Sequence, residues 1–192
     1  MTLDDFIRMH DHAGTITLLE GKRNVKEIDR PKLIELGRTL ASISRHMIFR
    51  SGNAAGADDL FCQGVAAVDP ERIHVIKPYK GHHKQNTYHN YSLDQIDLLM
   101  EPAVVEYSRK HMPGAVNEYM SGKKHRNAAK AAYIIRDTVK VLGTSSIPRA
   151  TFGIFYDDLD APMEGGTGHT MRVCLAEGVP VIDQQVWFDW VG

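Results

Sequence analysis

The sequence predicts an α/β protein, a three-layer Rossmann-like fold on a mainly parallel sheet of about five strands. Two observations predict it. Short apolar runs rich in β-branched residues recur along the 192 residues, and longer segments with helical spacing lie between several of them. Strands that alternate with helices pair in parallel through right-handed crossovers, and short continuous apolar strands suit a sheet covered on both faces.

The first strand is expected at 15–19, followed by a helix in which Leu33, Leu36, Leu40 and Ile43 step by three and four. A second strand at 46–49 leads into a helix whose face carries Ala57, Leu60, Phe61, Gly64, Val65 and Val68. A third strand follows at 73–76. Residues 81–142 show no convincing strand, only polar sequence and helical stretches near 93–110, 115–120 and 125–141. A strand at 151–156 precedes a helix carrying Met171, Cys174 and Leu175. Gly178 stops that helix, and Pro180 falls within a last strand at 179–182. At about 150 residues per domain the length argues for one domain over 1–192, with the helical elaboration at about 81–142 inside it.

Composition narrows the function. The chain is 43% hydrophobic and 24% charged, with 23 Lys and Arg against 24 Asp and Glu. A net charge of -1 argues against a protein that coats nucleic acid, which needs a strongly basic surface. Cys62 and Cys174 form no CxxC motif, so neither a disulfide scaffold nor a thiolate metal site is expected. No run of 18 apolar residues suggests a membrane span, and the N-terminus lacks the basic-then-apolar order of a signal peptide. A cytoplasmic protein without cofactor or metal is the expectation.

Two glycine-rich junctions carry the candidate chemistry. FRSGNAAGAD at 49–58 follows the second strand and opens a helix. Gly52 and Gly56 permit positive φ, and Asn53 tolerates it. A turn of this kind at a helix N-terminus presents free N–H groups beside the positive end of the helix dipole, where phosphate oxygens are stabilised. The bland alternative is a tight turn in which Asp58 steadies the first helical turn. EGGTGH at 164–169 lies between the 151–156 strand and the last long helix. Gly165, Gly166, Thr167 and Gly168 form either a second cradle or a capping loop. EGKR at 20–23 adds Gly21 for close approach and Arg23 for a phosphate or carboxylate. In a parallel sheet these junctions all fall at the carboxyl ends of strands, where open α/β folds hold ligands.

The order strand–GxR, strand–SGxAxGAD–helix, PYKGH at 78–82, RDTVKVLG at 136–143, GGTGxxxR at 165–172 and GVPVID at 178–183 resembles the SLOG superfamily. These Rossmann-like domains include the DNA-processing-protein-A fold, the LOG phosphoribohydrolases and small YspA/YpsA-like proteins. The sequence looks most like the phage-encoded, DNA-processing-protein-A-like branch, which reads SGGAxGAD, PWKGF, RNxxQVLG and GGTGQAxRxA. The resemblance spans residues 15–183. It implies nucleotide or phosphate contacts from Gly52, Ala54, Gly56 and Asp58, and from Gly165, Gly166, Thr167 and Gly168. Ser51, Asn53 and His169 fall within the same motifs, and Gly21 and Arg23 stand on the rim. Arg136 matches the family arginine; Arg126, in HRN, competes for that role, but the following VLG favours Arg136. The resemblance also implies a homodimer.

Asn53 stands where the family has glycine, Asp137 where it has asparagine, and His169 where it has glutamine. LOG enzymes carry PGGxGTxxE, and this chain places Met171 or Arg172 where that glutamate belongs. Neither side chain acts as a carboxylate base or steadies an oxocarbenium cation. Turnover by the LOG constellation is therefore not expected. Asp157, Asp158 and Glu164 are weak catalytic candidates for a nucleotide N-glycosidase or phosphoribohydrolase with a rearranged carboxylate.

His82, His83 and His89 fall within eight residues, but HHx5H is not a recognised ligand spacing, and metal binding is not expected. Lys77, Lys80, Lys84, Lys123, Lys124, His125, Arg126 and Lys130 make the centre locally basic, with Tyr79, Tyr88 and Tyr91 interleaved. Such residues can track single-stranded DNA, though a solvated helical surface is the simpler account. The leading expectation is a module that binds a phosphorylated nucleoside or nucleotide-derived small molecule. The enzyme comes second and the single-stranded-DNA protein third.

Overall fold

The computed structural model describes residues 1–82, 87–123 and 125–192. In chain order it forms α1 (Leu3–His10), β1 (Ile16–Gly21), α2 (Arg30–Ile43), β2 (Ile48–Ser51), α3 (Ala57–Ala66), β3 (Ile73–Lys77) and β4 (His89–Ser92). Three helices follow, α4 (Pro102–His111), α5 (Pro113–Met120) and α6 (Arg126–Leu142). The chain closes with β5 (Phe152–Tyr156), α7 (Gly165–Ala176), β6 (Val181–Ile182) and α8 (Gln184–Trp187).

Among the described residues six strands form one sheet in the order β4-β3-β2-β1-β5-β6, every neighbouring pair parallel. The chain starts at β1, runs outward through β2, β3 and β4, then crosses to the other side of β1 for β5 and β6. The order therefore reverses between β1 and β5, and a crevice at the carboxyl ends of the strands is expected there. Register fixes the junction: Thr17 lies opposite Phe152 and Gly21 opposite Tyr156.

Alternation along the strands divides the core. Leu19, Phe49, Val75, Ile154 and Tyr156 face α2 and α3, where Phe6 and Trp187 complete the layer. Leu18, Phe155 and Ile76 face the opposite way, toward α4 to α7. Both faces are covered, which is why these strands read as nearly continuous apolar runs.

The five expected strands are present. A sixth, β4, occupies the segment read as strandless. It is an edge strand of sequence His-Asn-Tyr-Ser that pairs with β3, and its half-solvated setting leaves no apolar run to read. The helix expected at 93–110 is broken into two short 3-10 turns, Leu93–Gln95 and Leu98–Met100, followed by α4. Pro102 occupies the first position of α4, where its missing N–H costs nothing and its fixed φ favours helix initiation. No helix among the described residues is long and apolar enough to cross a membrane.

Candidate functional site

A cavity of about 970 Å³ opens at the point where strand order reverses. The end of β1 supplies Glu20 and Gly21, and the chain beyond it Lys22, Arg23 and Lys26. The β2–α3 junction supplies Ala54 and Asp58, and the end of β5 supplies Asp157 and Asp158. Glu164 and the first turn of α7 (Gly165, Gly166 and Thr167) form another wall, and α6 closes the cavity with Lys130, Tyr133, Arg136, Asp137 and Lys140. Ala54 and Asp58 of the first glycine-rich junction and Glu164 to Thr167 of the second thus line one cavity, whereas Ser51, Gly52, Asn53, Gly56 and Gly168 are not among its lining residues.

The β2–α3 junction is held by backbone geometry. Ser51 Oγ accepts the Asn53 N–H at 3.1 Å, and Asn53 takes φ 48°. Gly56 has φ +103°, and a Cβ there would come within 2.3 Å of the Arg23 carbonyl oxygen, so a side chain is excluded twice over. Asp58 is buried, and both its oxygens take backbone amides: Oδ1 from Gly21 at 3.0 Å and Oδ2 from Ala54 at 3.3 Å. It ties the turn after β1 to the turn after β2.

The second junction differs from the expected loop. Its glycines are the first turn of α7 itself, with Glu164 as the cap residue. The leading N–H groups of a helix have no intrahelical acceptor, and here they lie on the cavity wall. Gly168 has another reason to be glycine, because a Cβ would approach the Met163 carbonyl oxygen to 1.8 Å. His169 lies away from the cavity wall. It is buried between α6 and α7, 2.9 Å from Thr138 Oγ1 and with its ring 4.6 Å from that of His111. Burial pushes its pKa down to about 4.

Arg136 reaches the cavity already paired. Its Nε and Nη2 donate to Asp137 Oδ1 at 3.0 and 2.7 Å, and its guanidinium packs against Gly52, whose carbonyl accepts Nη1 at 3.4 Å. Its first role is to support the β2–α3 turn. Lys140 Nζ lies 2.6 Å from Glu20 Oε1 and 2.8 Å from Asp137 Oδ1. Burial alone would push Asp137 up and Lys140 down. The pairing outweighs it, holding Asp137 below and Lys140 above their ordinary values. Glu20 behaves otherwise. Burial, with Asp58 and Asp137 nearby, raises it to about 7 against the pull of Lys140. Three carboxyls face two cations across this floor, and a proton on Glu20 relieves the excess. Spacing did not reveal the network, although a Glu closing an apolar strand and a Lys between Val139 and Val141 are its trace in the sequence.

The acidic candidates divide. Asp158 pairs with Lys22 and is half exposed, and Glu164 stands exposed at the residue before α7, its side chain making no capping hydrogen bond. Asp157 is buried, and its backbone exchanges two hydrogen bonds with Gln184, which donates to the Asp157 carbonyl at 2.6 Å and accepts the Asp157 N–H at 2.9 Å. Of the histidine trio, His83 lies outside the described residues, as do Lys84 and Lys124 of the basic stretch. His82 packs on the rings of Tyr79 and Tyr133, and His89 on those of His74 and Tyr91. No group of three or more His, Cys, Asp or Glu suited to a metal occurs among the described residues. Arg126 opens α6 and is exposed, away from the wall that Arg136 lines.

The fold resembles that of DNA processing protein A. That protein, from Helicobacter pylori, is described for its single-stranded-DNA binding mode, and it matches with a TM-score of 0.53 at 13% sequence identity. The match covers 89% of this chain but 65% of the other, so this chain spans about two thirds of its neighbour's length. No family model and no curated protein matches the sequence. At this identity the likeness is one of fold: a Rossmann-like parallel sheet with helices on both faces.

Proposed function

We propose that the cavity at the β1/β5 reversal binds a phosphorylated nucleoside or nucleotide-derived small molecule, in a SLOG-like domain nearest to the phage-encoded, DNA-processing-protein-A-like branch. The observation that carries this reading is that residues of both glycine-rich junctions line one space of about 970 Å³, which is large enough for a nucleotide. The anionic group sits at the first turn of α7, where free amides and the helix dipole stabilise it. Arg23, Lys26 and Lys130 supply positive charge from the rim, while the paired Arg136 keeps the β2–α3 turn in shape. Tyr133 also lines the cavity, with the Arg136 guanidinium over its ring at 5.4 Å.

Mass spectrometry of small molecules carried through native purification, followed by calorimetric titration, tests this reading. A bound nucleotide is expected, weakened about tenfold or more by Gly166→Asp, which sets a carboxylate against the same amides. Absence of binding by every phosphorylated nucleoside tried would overturn it.

The fold neighbour and the basic rim favour single-stranded DNA as a second reading. Gel shifts over a range of salt separate the two, since affinity from many phosphate contacts falls steeply as salt rises.

A further inference from the structure

We propose that Asp137 makes the anion site on α7 select an anion that still carries a proton, a phosphate monoester with one P–OH group, over a fully ionised group such as a sulfate ester. This rests on the nucleotide reading above and names the ionic form of the ligand that reading leaves open.

Asp137 is 3% exposed and lines the cavity from α6. One of its oxygens is spent within the protein: Oδ1 accepts Arg136 Nε and Nη2 at 3.0 and 2.7 Å and lies 2.8 Å from Lys140 Nζ. Oδ2 has no hydrogen-bond partner among the described residues, and unlike Asp157 Oδ1 it is not sealed off from solvent. It faces the first turn of α7. A Cβ built on Gly166 would lie 3.1 Å from Asp137 Oδ2 and, beyond its own helix and chain neighbours, would meet no other atom within 4 Å. The open space beside the free α7 amides therefore holds one fixed acceptor. An anion resting on those amides brings an oxygen toward Oδ2. Two oxygens with no proton between them repel, whereas a P–OH there donates to the carboxylate in a short, charge-assisted hydrogen bond. Arg136 and Lys140, beside Asp137 on α6, outweigh its burial and keep it ionised. The other titratable groups that face it are Glu20 on β1, His169 on α7 and His111 at the end of α4, while Asp58 on α3 acts on the same two cations. Glu20, raised to about 7, changes charge close to the range in which a phosphate monoester loses its second proton, about pH 6. The test therefore needs a ligand that does not titrate.

Calorimetric titration of the full chain with the 5′-monophosphates of adenosine, guanosine, cytidine and uridine, and then with the 5′-sulfate of the nucleoside that binds tightest, tests the assignment. At about pH 5.5 both esters are mainly monoanions, and the phosphate alone has a proton to give. The phosphate is expected to bind about tenfold or more tighter, as befits a hydrogen bond to a charged acceptor. Between about pH 5.5 and pH 8, as that proton leaves, its affinity is expected to fall further than that of the sulfate, which reports what Glu20 and the other protein groups contribute. In Asp137→Asn the carbonyl stays with Arg136 and Lys140, and the amide NH2 takes the place of Oδ2. The gap between the two esters is then expected to shrink to about threefold or less. Sulfate bound as tightly as phosphate at the lower pH, a phosphate affinity that falls no further than the sulfate's, or a gap that persists in Asp137→Asn would overturn the assignment while leaving the nucleotide reading intact. Failure of all four monophosphates to bind at either pH would remove both. If circular dichroism shows that Asp137→Asn does not fold, the two comparisons on the unaltered chain decide.

Discussion

Asp58 and Gly21 are joined across two strand ends: the carboxylate on the first turn of α3 accepts the amide of the last residue of β1 at 3.0 Å. With the Ala54 amide on its other oxygen, Asp58 is a clamp between the two turns that floor the cavity, and its charge is already met by protein donors.

Asp58→Ala leaves both amides without acceptors. An unfolding free energy lower by about 2–4 kcal/mol is expected in urea titrations, with ligand affinity lost in parallel. Asp58→Asn keeps one acceptor and is expected to lose less. Equal stability of all three proteins would contradict the clamp.

Lys140→Met removes the cation that Glu20 and Asp137 share, leaving buried carboxyls with Arg136 as their remaining close cation. Breaking such a pair from one side costs about 3–5 kcal/mol. The loss is expected to be larger at pH 8 than at pH 5.5, because Glu20, raised to about 7, is protonated at the lower pH. Denaturant melts at the two pH values check it.

The pH dependence of stability has opposing parts. His169 and His74 are pushed down to about 4, chiefly by burial, so the unfolded chain takes up protons on them before the folded one does. Their contribution is lost as pH falls from about 6.5 toward 4. Glu20 works the other way, since between about 4.5 and 7 the folded state holds a proton that the unfolded state has released. Glu20→Gln removes this opposition, and its stability is expected to fall more steeply than the parent's from pH 7 to pH 5, by an amount on the order of 2 kcal/mol. Parallel curves would show that Glu20 does not titrate there.

Gly168→Ala drives a methyl into the Met163 carbonyl oxygen, 1.8 Å from the ideal Cβ position. The start of α7 must shift. A stability loss of more than about 2 kcal/mol and weakened nucleotide binding are expected. Gly165 has open space around it, but its φ of +63° strains any other residue, so Gly165→Ala is expected to cost about 1 kcal/mol.

The sheet was legible because its strands are buried on both faces and speak in Ile, Leu, Val and Phe. β4 was not, because an edge strand keeps one side wet and its sequence reads as loop. Both glycine-rich junctions were visible in the spacing, and residues of each, Ala54 and Asp58 from one and Gly165 to Thr167 from the other, line one cavity. What pattern could not convey was how the charges pair. Arg136 reads alone as a free phosphate ligand, whereas Asp137, its neighbour in sequence, takes two of its donors. His169, one residue past the glycines, turns away because helical geometry rotates each successive residue about 100°, carrying it from the cavity wall into the α6–α7 contact.

The pairing of β1 with β5 joins residues far apart along the chain. The Ile16 amide donates to Thr151 Oγ1 across a separation of 135 residues. The hollow is thus closed by a long-range contact between strands separated by most of the chain, and topology of this kind slows folding. A molecule lodged there binds the finished chain and not its earlier stages, so its effect should register as a higher melting temperature of the whole protein.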